Sequence, residues 1–138
     1  IITNQSGISR KIFSEKEYND LTKKYINYLN KRNINIDGVY HCPHHPLFSP
    51  KPFDKCNCRK PKSGLFELAA IEHEIILEES IAIGDKITDL QAALSCGIKK
   101  RYLISKTKKL ENKNNKLITD SFKSLYEFSN FFKNTKMP

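Results

Sequence analysis

The sequence predicts an α/β fold in which helices cover both faces of a parallel sheet. Short apolar runs alternate along the chain with segments of helical period, as they do where crossover helices join parallel strands. The run at residues 81–83 (Ile-Ala-Ile) is wholly apolar and ends in Gly-Asp, which is typical of a buried parallel strand. At 138 residues, 38% hydrophobic and 28% charged, the chain has the size and composition of a single domain over residues 1–138.

The predicted elements begin with a strand, a loop and a long helix. Residues 1–3 (Ile-Ile-Thr) have the composition of a strand end, and turn-forming residues follow at 4–7. A helix is predicted to begin at Ser14, because Ser-Glu-Lys-Glu forms a capping box with Glu17, and to end near residues 31–32. Its predicted apolar face consists of Tyr18, Leu21, Tyr25, Tyr28 and Leu29. A short strand at 39–41 then leads into a proline-rich loop.

Beyond that loop, helices and strands continue to alternate. Ser63 is expected to cap a helix that reaches residue 72, and the strand at 81–83 follows. A helix over 89–95 is expected to close on Gly97 in a left-handed conformation. Strands are predicted at 102–104 and 117–118, and a last helix over 121–132. This order gives a Rossmann-like sheet with the proline-rich loop as an insertion.

Charge and hydropathy restrict the classes of partner. The net charge of +9 comes mostly from lysine, much of it between residues 99 and 116. This charge suits nucleic-acid or acidic-membrane binding, or else a solvated loop in a chain rich in Lys and Asn. We favour the loop and expect no nucleic-acid partner, because no aromatic platform accompanies the lysines. With no apolar run of roughly 20 residues and no signal peptide, we expect a cytoplasmic monomer that binds no membrane.

Four candidate metal ligands lie in two tight pairs in the proline-rich loop. Cys42 and His44 form the first pair, and eleven residues later Cys56 and Cys58 form the second. Thiols at this spacing in a reducing compartment favour a metal over disulfides, and thiolate and imidazole are ligands that zinc prefers. A structural zinc at residues 42–58 would order a loop that has little core of its own. His45 competes with His44, since spacing alone does not decide between them.

Polar residues follow the predicted strand ends. Asp85 stands at the carboxyl end of a buried strand, where open α/β sheets bind ligands, and it is placed to bind magnesium. Asp89 lies four residues on, where its carboxylate either points to the same spot or complements the helix dipole. The loop after Thr3 offers amides and hydroxyls for an oxyanion: Asn4, Gln5 and Ser6.

Two cations directly follow the second cysteine pair. Arg59 carries a planar fork suited to a phosphate, and Lys60 carries a mobile positive charge. The alternative interpretation of Lys60 is an ordinary surface lysine. Phosphoryl transfer requires a hydroxyl donor, a cation and a metal-binding carboxylate close together. The sequence places all three in loops at the strand ends of one parallel sheet.

The motifs at residues 1–8, 41–46, 56–61 and 83–89 resemble the haloacid dehalogenase superfamily, within its heptose-bisphosphate and histidinol-phosphate phosphatase branch. The resemblance reaches to about residue 104. It implies that Thr3 binds the transferring phosphoryl group, that Lys60 neutralises it, and that Asp85 binds magnesium. Asp89, with Lys86 beside it, would support the lysine and the metal.

The same resemblance implies a structural zinc and a substrate. The zinc would be held by Cys42, His44, Cys56 and Cys58. Arg59 would contact the substrate, and Cys96 would pack in the core. The expected reaction removes the 7-phosphate of D-glycero-D-manno-heptose 1,7-bisphosphate, in the synthesis of lipopolysaccharide precursors. Histidinol phosphate is the alternative substrate.

The family nucleophile is an Asp-x-Asp pair, and the printed sequence contains none. Its aspartates are Asp20, Asp37, Asp54, Asp85, Asp89 and Asp120. The resemblance implies about 40 to 50 further residues ahead of Ile1, enough for a first strand and its crossover to the next. A catalytically dead remnant is one alternative. A zinc-stapled nucleic-acid-binding module is another, which the Asp85 and Asp89 carboxylates disfavour because they repel a phosphate backbone.

Overall fold

Strands and helices alternate through residues 1–106 and 116–135, the part of the chain that the computed structural model describes. The strands are β1 (Ile2–Asn4), β2 (Tyr40–Cys42), β3 (Ile81–Gly84), β4 (Lys100–Ile104) and β5 (Asp120–Phe122). The helices are α1 (Glu15–Asn30), α2 (Gly64–Glu72), α3 (Ile87–Ser95) and α4 (Leu125–Asn134). Over these described stretches, none of the helices has the length and apolar character needed to cross a bilayer.

Every strand pair is parallel, as predicted, but the strands form two sheets. β1 pairs with β2, with Thr3 opposite His41, and the second sheet has the order β3-β4-β5. Ile83 lies opposite Tyr102, and Leu103 lies opposite Ser121. Among the described residues no strand joins β1 to β3, and both strands line one cleft. The predicted parallel sheet is therefore present as two halves with an open space between them.

The buried core lies around the second sheet. It consists of three clusters: Ala82, Ala93 and Ile98; Leu90, Leu103 and Leu117; Tyr102, Phe122 and Phe128. Leu90 and Leu103 are almost completely buried, and burial of each such side chain contributes about 1.5–3 kcal/mol. This packing fixes α3 against β3 and β4, and it therefore fixes the residues at the start of α3.

The capping box predicted for α1 is present. The Ser14 hydroxyl accepts a hydrogen bond from the Glu17 amide at 3.2 Å, and the Ser14 amide donates to the Glu17 carboxylate at 2.7 Å. The predicted apolar face is only partly covered: Tyr18 is buried, whereas Leu21 and Tyr28 are 61% and 55% exposed. The helical period thus predicted the helix and the inward position of Tyr18, but the rest of the predicted face is not buried.

Two predictions near the carboxyl terminus are wrong. Residues 117–118 are not a strand, because Leu117 packs into a core cluster and the strand forms at β5 instead. The last helix begins at Leu125 and not at residue 121, since the Ser124 hydroxyl accepts from the Glu127 amide at 3.1 Å and so caps it there. Ser63 precedes α2 as predicted, but its hydroxyl donates to Glu67 and caps no backbone amide.

Arg101 does not belong to the solvated charge that the sequence indicated for residues 99–116. It is only 7% exposed, and its guanidinium donates to four backbone carbonyls, those of Ile98, Lys99, Lys116 and Leu117. These hydrogen bonds connect the start of β4 to the segment before β5, and they compensate the burial of the Arg101 charge. Residues 107–115 of the predicted basic stretch, with Lys108, Lys109 and Lys113, lie outside the described residues.

Candidate active site

Lys60 lies at the point where the ends of β1 and β3 meet the loop that precedes α2. Its Nζ is 2.7 Å from Asp89 Oδ1 and donates to the Ile2 carbonyl oxygen, also at 2.7 Å. The side chains of this ion pair are only 10% and 12% exposed, so water screens their attraction little. The alternative of an ordinary surface lysine is therefore wrong in this structure.

Asp89 is held by the turn between β3 and α3. Its Oδ2 accepts from the Lys86 amide at 3.0 Å, and the Asp89 amide donates to the Lys86 carbonyl at 3.0 Å. A Cβ at Gly84 would lie 2.5 Å from Asp89 Cβ, so this close approach requires glycine. Asp85 differs: its side chain is exposed and lines the cleft between the sheets. One aspartate orders the lysine, and the other faces the cleft.

Strand β1 presents Thr3 at the edge of the same cleft, and the loop after β1 contacts it. Gln5 Nε2 donates to Thr3 Oγ1 at 3.0 Å, which leaves the hydroxyl proton of Thr3 to donate elsewhere. The backbone of Ser6 continues the turn, with its carbonyl accepting from Arg10 at 3.1 Å. The side chain of Asn4 contacts the backbone of Lys60 through two hydrogen bonds of 3.1 Å.

The two predicted ligand pairs come together in one cluster. The ligand atoms of Cys42, His44, Cys56 and Cys58 all lie within 4.8 Å of one another. The three sulfurs lie 2.8, 3.4 and 3.7 Å from one another, closer than or near the edge of about 3.8 Å expected for two thiolates on one zinc. His44 Nδ1 lies 3.3 Å from the Cys58 sulfur. His45 lies apart from the cluster, since its Nδ1 accepts from the Leu47 amide.

Burial and mutual contact shift the thiol pKa values in opposite directions. Burial raises the pKa of Cys42, and it raises the pKa of Cys58 strongly, where hydrogen bonds with Cys42 and Cys56 add to the effect. For Cys56 burial also acts upward, but hydrogen bonds from Cys58 and Cys42 outweigh it and the net pKa is lowered. Cys56 is therefore the thiol of the three that ionises most readily. Cys96 lies outside this cluster, and its thiol donates to the Ala93 carbonyl beside a core cluster.

Backbone carbonyls of the cysteine loop, the proline-rich loop of residues 42–58, accept hydrogen bonds from two cationic side chains that follow it. Arg59 Nη1 donates to the His44 carbonyl at 3.0 Å. Lys62 Nζ donates to the Lys55 and Cys56 carbonyls at 3.0 and 2.7 Å. These contacts fold the loop back on itself on both sides of Lys60. They therefore restrict the position of the Lys60 backbone relative to the strand ends.

The cleft between the sheets has a volume of about 490 Å³, and it is apolar along its length and polar at one end. Apolar side chains of β1, β3 and their neighbours line its length, among them Ile2, Ile83 and Phe66. Polar groups gather at the end formed by the carboxyl ends of the strands, where Lys60 and Asp85 lie. The arrangement can accept an apolar segment along the strands and bind an anion and a cation at their ends.

Sequence reasoning overlooked two features of this site. The pairing of Asn4 with Lys60 joins residues 56 positions apart, and neither residue type signals it. The bonds from Lys62 to loop carbonyls carry no sequence signal either, because most lysines are solvated. Three-dimensional proximity alone reveals both.

Comparison with known proteins gives consistent relatives. Residues 57–124 match a family model described as HAD-hydrolase-like. Over 133 residues the chain is 37% identical to the D-glycero-alpha-D-manno-heptose-1,7-bisphosphate 7-phosphatase of Campylobacter jejuni, covering 96% of this chain and 70% of the relative. It is 41% identical over 105 residues to the enzyme of the same description from Photorhabdus laumondii, covering 75% of this chain and 57% of the relative.

A solved structure agrees with these relatives. The D,D-heptose 1,7-bisphosphate phosphatase of B. bronchiseptica, complexed with magnesium and phosphate, superposes with a TM-score of 0.78 at 27% identity. The match covers 96% of this chain and 72% of that one. Against several of the curated relatives, in contrast, the matched region spans little more than half of their length, 56% to 58%.

Proposed function

The chain belongs to the haloacid dehalogenase superfamily, in the heptose-bisphosphate phosphatase branch, and we propose that it forms part of a magnesium-dependent phosphoric monoester hydrolase. Its proposed substrate is D-glycero-D-manno-heptose 1,7-bisphosphate, from which it removes the 7-phosphate during cytoplasmic synthesis of lipopolysaccharide precursors. One observation carries the proposal: the buried Lys60–Asp89 pair lies beside Thr3 and Asp85 at the carboxyl ends of parallel strands.

Lys60 is proposed to neutralise the charge that spreads over the phosphoryl oxygens in the transition state. Its ammonium has three N–H groups, of which Asp89 and the Ile2 carbonyl take two. The third is proposed to donate to a phosphoryl oxygen. Because the pair is shielded from water, this interaction is stronger than it is on an exposed surface.

Thr3 is proposed to donate its hydroxyl proton to a second phosphoryl oxygen. The hydroxyl already accepts from Gln5 Nε2, and this bond orients the group in advance. Gln5 thereby acts on the phosphoryl group through Thr3. Arg59, whose other nitrogens are not engaged by the His44 carbonyl, is proposed to contact the remainder of the substrate with its planar fork. The roles of Asn4 and Ser6 in substrate binding stay predictions.

Magnesium is proposed to bind at Asp85, which fits the ion. Asp85 is an exposed carboxylate beside the anion site, whereas both oxygens of Asp89 are already engaged. Magnesium in phosphoryl-transfer sites takes one or two carboxylates and completes its shell with water and phosphate oxygens. When bound there, it would add positive charge at the phosphoryl group.

Zinc is proposed to have a structural role. The cluster offers three sulfurs and one imidazole nitrogen, which together complete a four-coordinate shell of the structural type. Cys58 is two residues from Lys60 along the chain, so the cluster would hold the loop that presents the lysine. Its loss is proposed to affect folding of the loop first and chemistry second.

The attacking carboxylate is proposed to come from an Asp-x-Asp strand outside the printed residues, seated between β1 and β3. In β1, the Ile1 carbonyl accepts from the Tyr40 amide on the β2 side, whereas the Ile2 carbonyl points away from β2 and accepts from Lys60. Alternate residues of a parallel strand bond to opposite sides, and among the described strands none pairs with the second edge of β1. A parallel strand in the cleft would end beside Lys60 and Asp85.

Phosphate release tests the proposed function. The completed protein is defined as this chain with the predicted Asp-x-Asp segment ahead of Ile1, fused or supplied as a second polypeptide. We expect it to release phosphate from heptose 1,7-bisphosphate with magnesium, and to release none when magnesium is chelated.

A control variant and a second substrate make this test more specific. Asn in place of the first aspartate of the added pair should abolish release while circular dichroism shows the fold retained. A folded completed protein that hydrolyses histidinol phosphate faster than the heptose bisphosphate would contradict the proposed substrate. One that hydrolyses neither would contradict the proposed reaction.

A further inference from the structure

We propose that Asn4 is a positioning residue for Lys60, an inference that rests on the proposed phosphatase function of this site. Asn4 Nδ2 donates to the Lys60 carbonyl at 3.1 Å, and the Lys60 amide donates to Asn4 Oδ1 at 3.1 Å. The side-chain amide therefore pairs with both backbone groups of one residue. Such a two-point contact fixes both the distance and the orientation of the Lys60 backbone relative to β1.

Asn4 is itself held firmly, which a positioning residue must be. It ends β1 opposite Cys42, and the amide of the next residue, Gln5, donates to the Cys42 carbonyl at 2.7 Å. Cys42 is fully buried and belongs to the cysteine cluster. The Asn4 side-chain amide thus hydrogen-bonds β1 to the loop that contains Lys60.

The pairing complements the contacts at the far end of the lysine side chain. Nζ is held by Asp89 and by the Ile2 carbonyl, so Lys60 is fixed at its backbone and at its charge. A lysine side chain that is ordered only on binding loses rotamer entropy at that moment. Here the contacts of Nζ order the side chain on folding and Asn4 fixes the backbone from which it extends, so the charge already lies where the phosphoryl group is proposed to bind.

The competing role for Asn4 is direct contact with substrate, as predicted from the sequence. The two roles differ kinetically. A residue that acts through Lys60 affects a group needed in the transition state, so its loss lowers kcat. A residue that only binds substrate raises KM when it is removed and leaves kcat unchanged.

Kinetics of the completed protein form the first test. We expect Asn4→Ala to lower kcat by on the order of tenfold to a hundredfold, with KM little changed, since small misplacement of a catalytic group has effects of this size. The double variant Asn4→Ala with Lys60→Ala should be no slower than Lys60→Ala alone, because Asn4 acts through Lys60. Losses that multiply, or a raised KM with unchanged kcat, would overturn the proposal.

A second test needs no catalysis and uses the 138-residue chain. Hydrogen exchange of the Lys60 amide, followed by NMR, should accelerate in Asn4→Ala because that amide loses its acceptor. Asn4→Asp keeps the acceptor for the Lys60 amide but sets a carboxylate oxygen against the Lys60 carbonyl, so it should restore protection only in part. Asn27→Ala, on the exposed surface of α1, is the matched control and should leave Lys60 exchange unchanged.

The two tests separate this inference from the proposed function. If the completed protein hydrolyses no heptose bisphosphate while Lys60 exchange accelerates in Asn4→Ala, the proposed function fails and the pairing stands. If exchange is unchanged in Asn4→Ala, the positioning role is wrong whatever the activity. Should Asn4→Ala fail to fold, the wild-type chain still decides, since a Lys60 amide that exchanges there as fast as a solvent-exposed amide would contradict the pairing.

Discussion

At the scale of single residues, Lys60 is where charge, backbone pairing and the cysteine loop meet. Its ammonium and the Asp89 carboxylate are nearly buried, and both carry further hydrogen bonds. A buried pair of this kind adds little net stability, but removal of one partner costs about 3–5 kcal/mol because the other charge stays buried. The pair is therefore better explained by its position at the strand ends than by stability.

Lys60→Ala is expected to lower kcat of the completed protein by on the order of a hundredfold to a thousandfold, since it removes a preorganised charge from the phosphoryl site. Rates of phosphate release at saturating substrate measure this. Lys24→Ala, an exposed lysine of α1, is the control and should retain the full rate. A Lys60→Ala enzyme with near-normal kcat would rule out the role given to this lysine.

The two aspartates after β3 should separate stability from metal binding. Asp89→Asn removes the charge that pairs with Lys60 and is expected to lower the free energy of unfolding by roughly 3–5 kcal/mol. Asp85→Asn is expected to change it little, because that side chain is exposed, and instead to weaken magnesium binding. Urea unfolding and magnesium titration of both variants measure the two effects. The opposite assignment of effects would show the two roles to be exchanged.

At the scale of elements, the cysteine loop of residues 42–58 is ordered by a cluster of side chains. Cys56→Ser should lower the zinc content per chain and the melting temperature together, because a structural metal contributes directly to folding. Elemental analysis and thermal unfolding measure the two quantities. Cys96→Ser is the matched control: Cys96 lies outside the cluster, so zinc content should stay at the wild-type level. Full zinc content in Cys56→Ser would show the cluster is not the zinc site.

Helix α1 depends on its capping box in a way that varies with pH. Hydrogen bonds from the Ser14 amide and hydroxyl lower the pKa of Glu17 below its usual 4.5. Because the folded-state pKa is the lower one, the stabilisation is present above pH 4.5 and is lost as the pH falls through the folded value. The difference in melting temperature between wild type and Glu17→Gln should therefore shrink on acidification from pH 7 to pH 3. A difference that grows instead would contradict this role for the carboxylate.

At the scale of the whole molecule, the dominant feature is the cleft between the two parallel sheets. Apolar residues line it from both sides, and Ile83 is 42% exposed although it belongs to a strand. Strands of parallel sheets are ordinarily buried on both faces, and a strand edge without a partner favours aggregation. A segment that fills this cleft would cover apolar surface and pair both edges.

The completed protein is therefore expected to melt several degrees higher than the 138-residue chain, since the added strand buries apolar surface at about 25 cal/mol per Å². It should also bind less of a fluorescent dye that recognises apolar surface. Replacement of the first aspartate of the added pair by Asn should preserve both effects, because they depend on the strand and not on its charge. Equal melting temperatures and equal dye binding would mean that the segment does not occupy the cleft.

Local signals predicted those parts of the fold that depend on local chemistry. The capping box at Ser14, the apolar run that ends in Gly84 and the left-handed Gly97 are all present where the sequence placed them. The predicted strand at 117–118 and the predicted helix start at 121 failed. At residue 117 packing decided, since Leu117 is drawn into the core. At the helix start the deciding contact is local, because the Ser124 hydroxyl accepts from the Glu127 amide. Local patterns there were compatible with several boundaries.

By itself, the sequence determined the parallel α/β architecture and supplied the candidate site residues, since strand period, ligand spacing and residue type are properties of the chain alone. Only the tertiary structure decided which of these residues meet. It brought His44, and not His45, to the thiols, and it buried Lys60 against Asp89. It also paired Asn4 with the Lys60 backbone across 56 residues. Such contacts depend on distances set by packing between elements, and those distances are not written in any local stretch of sequence.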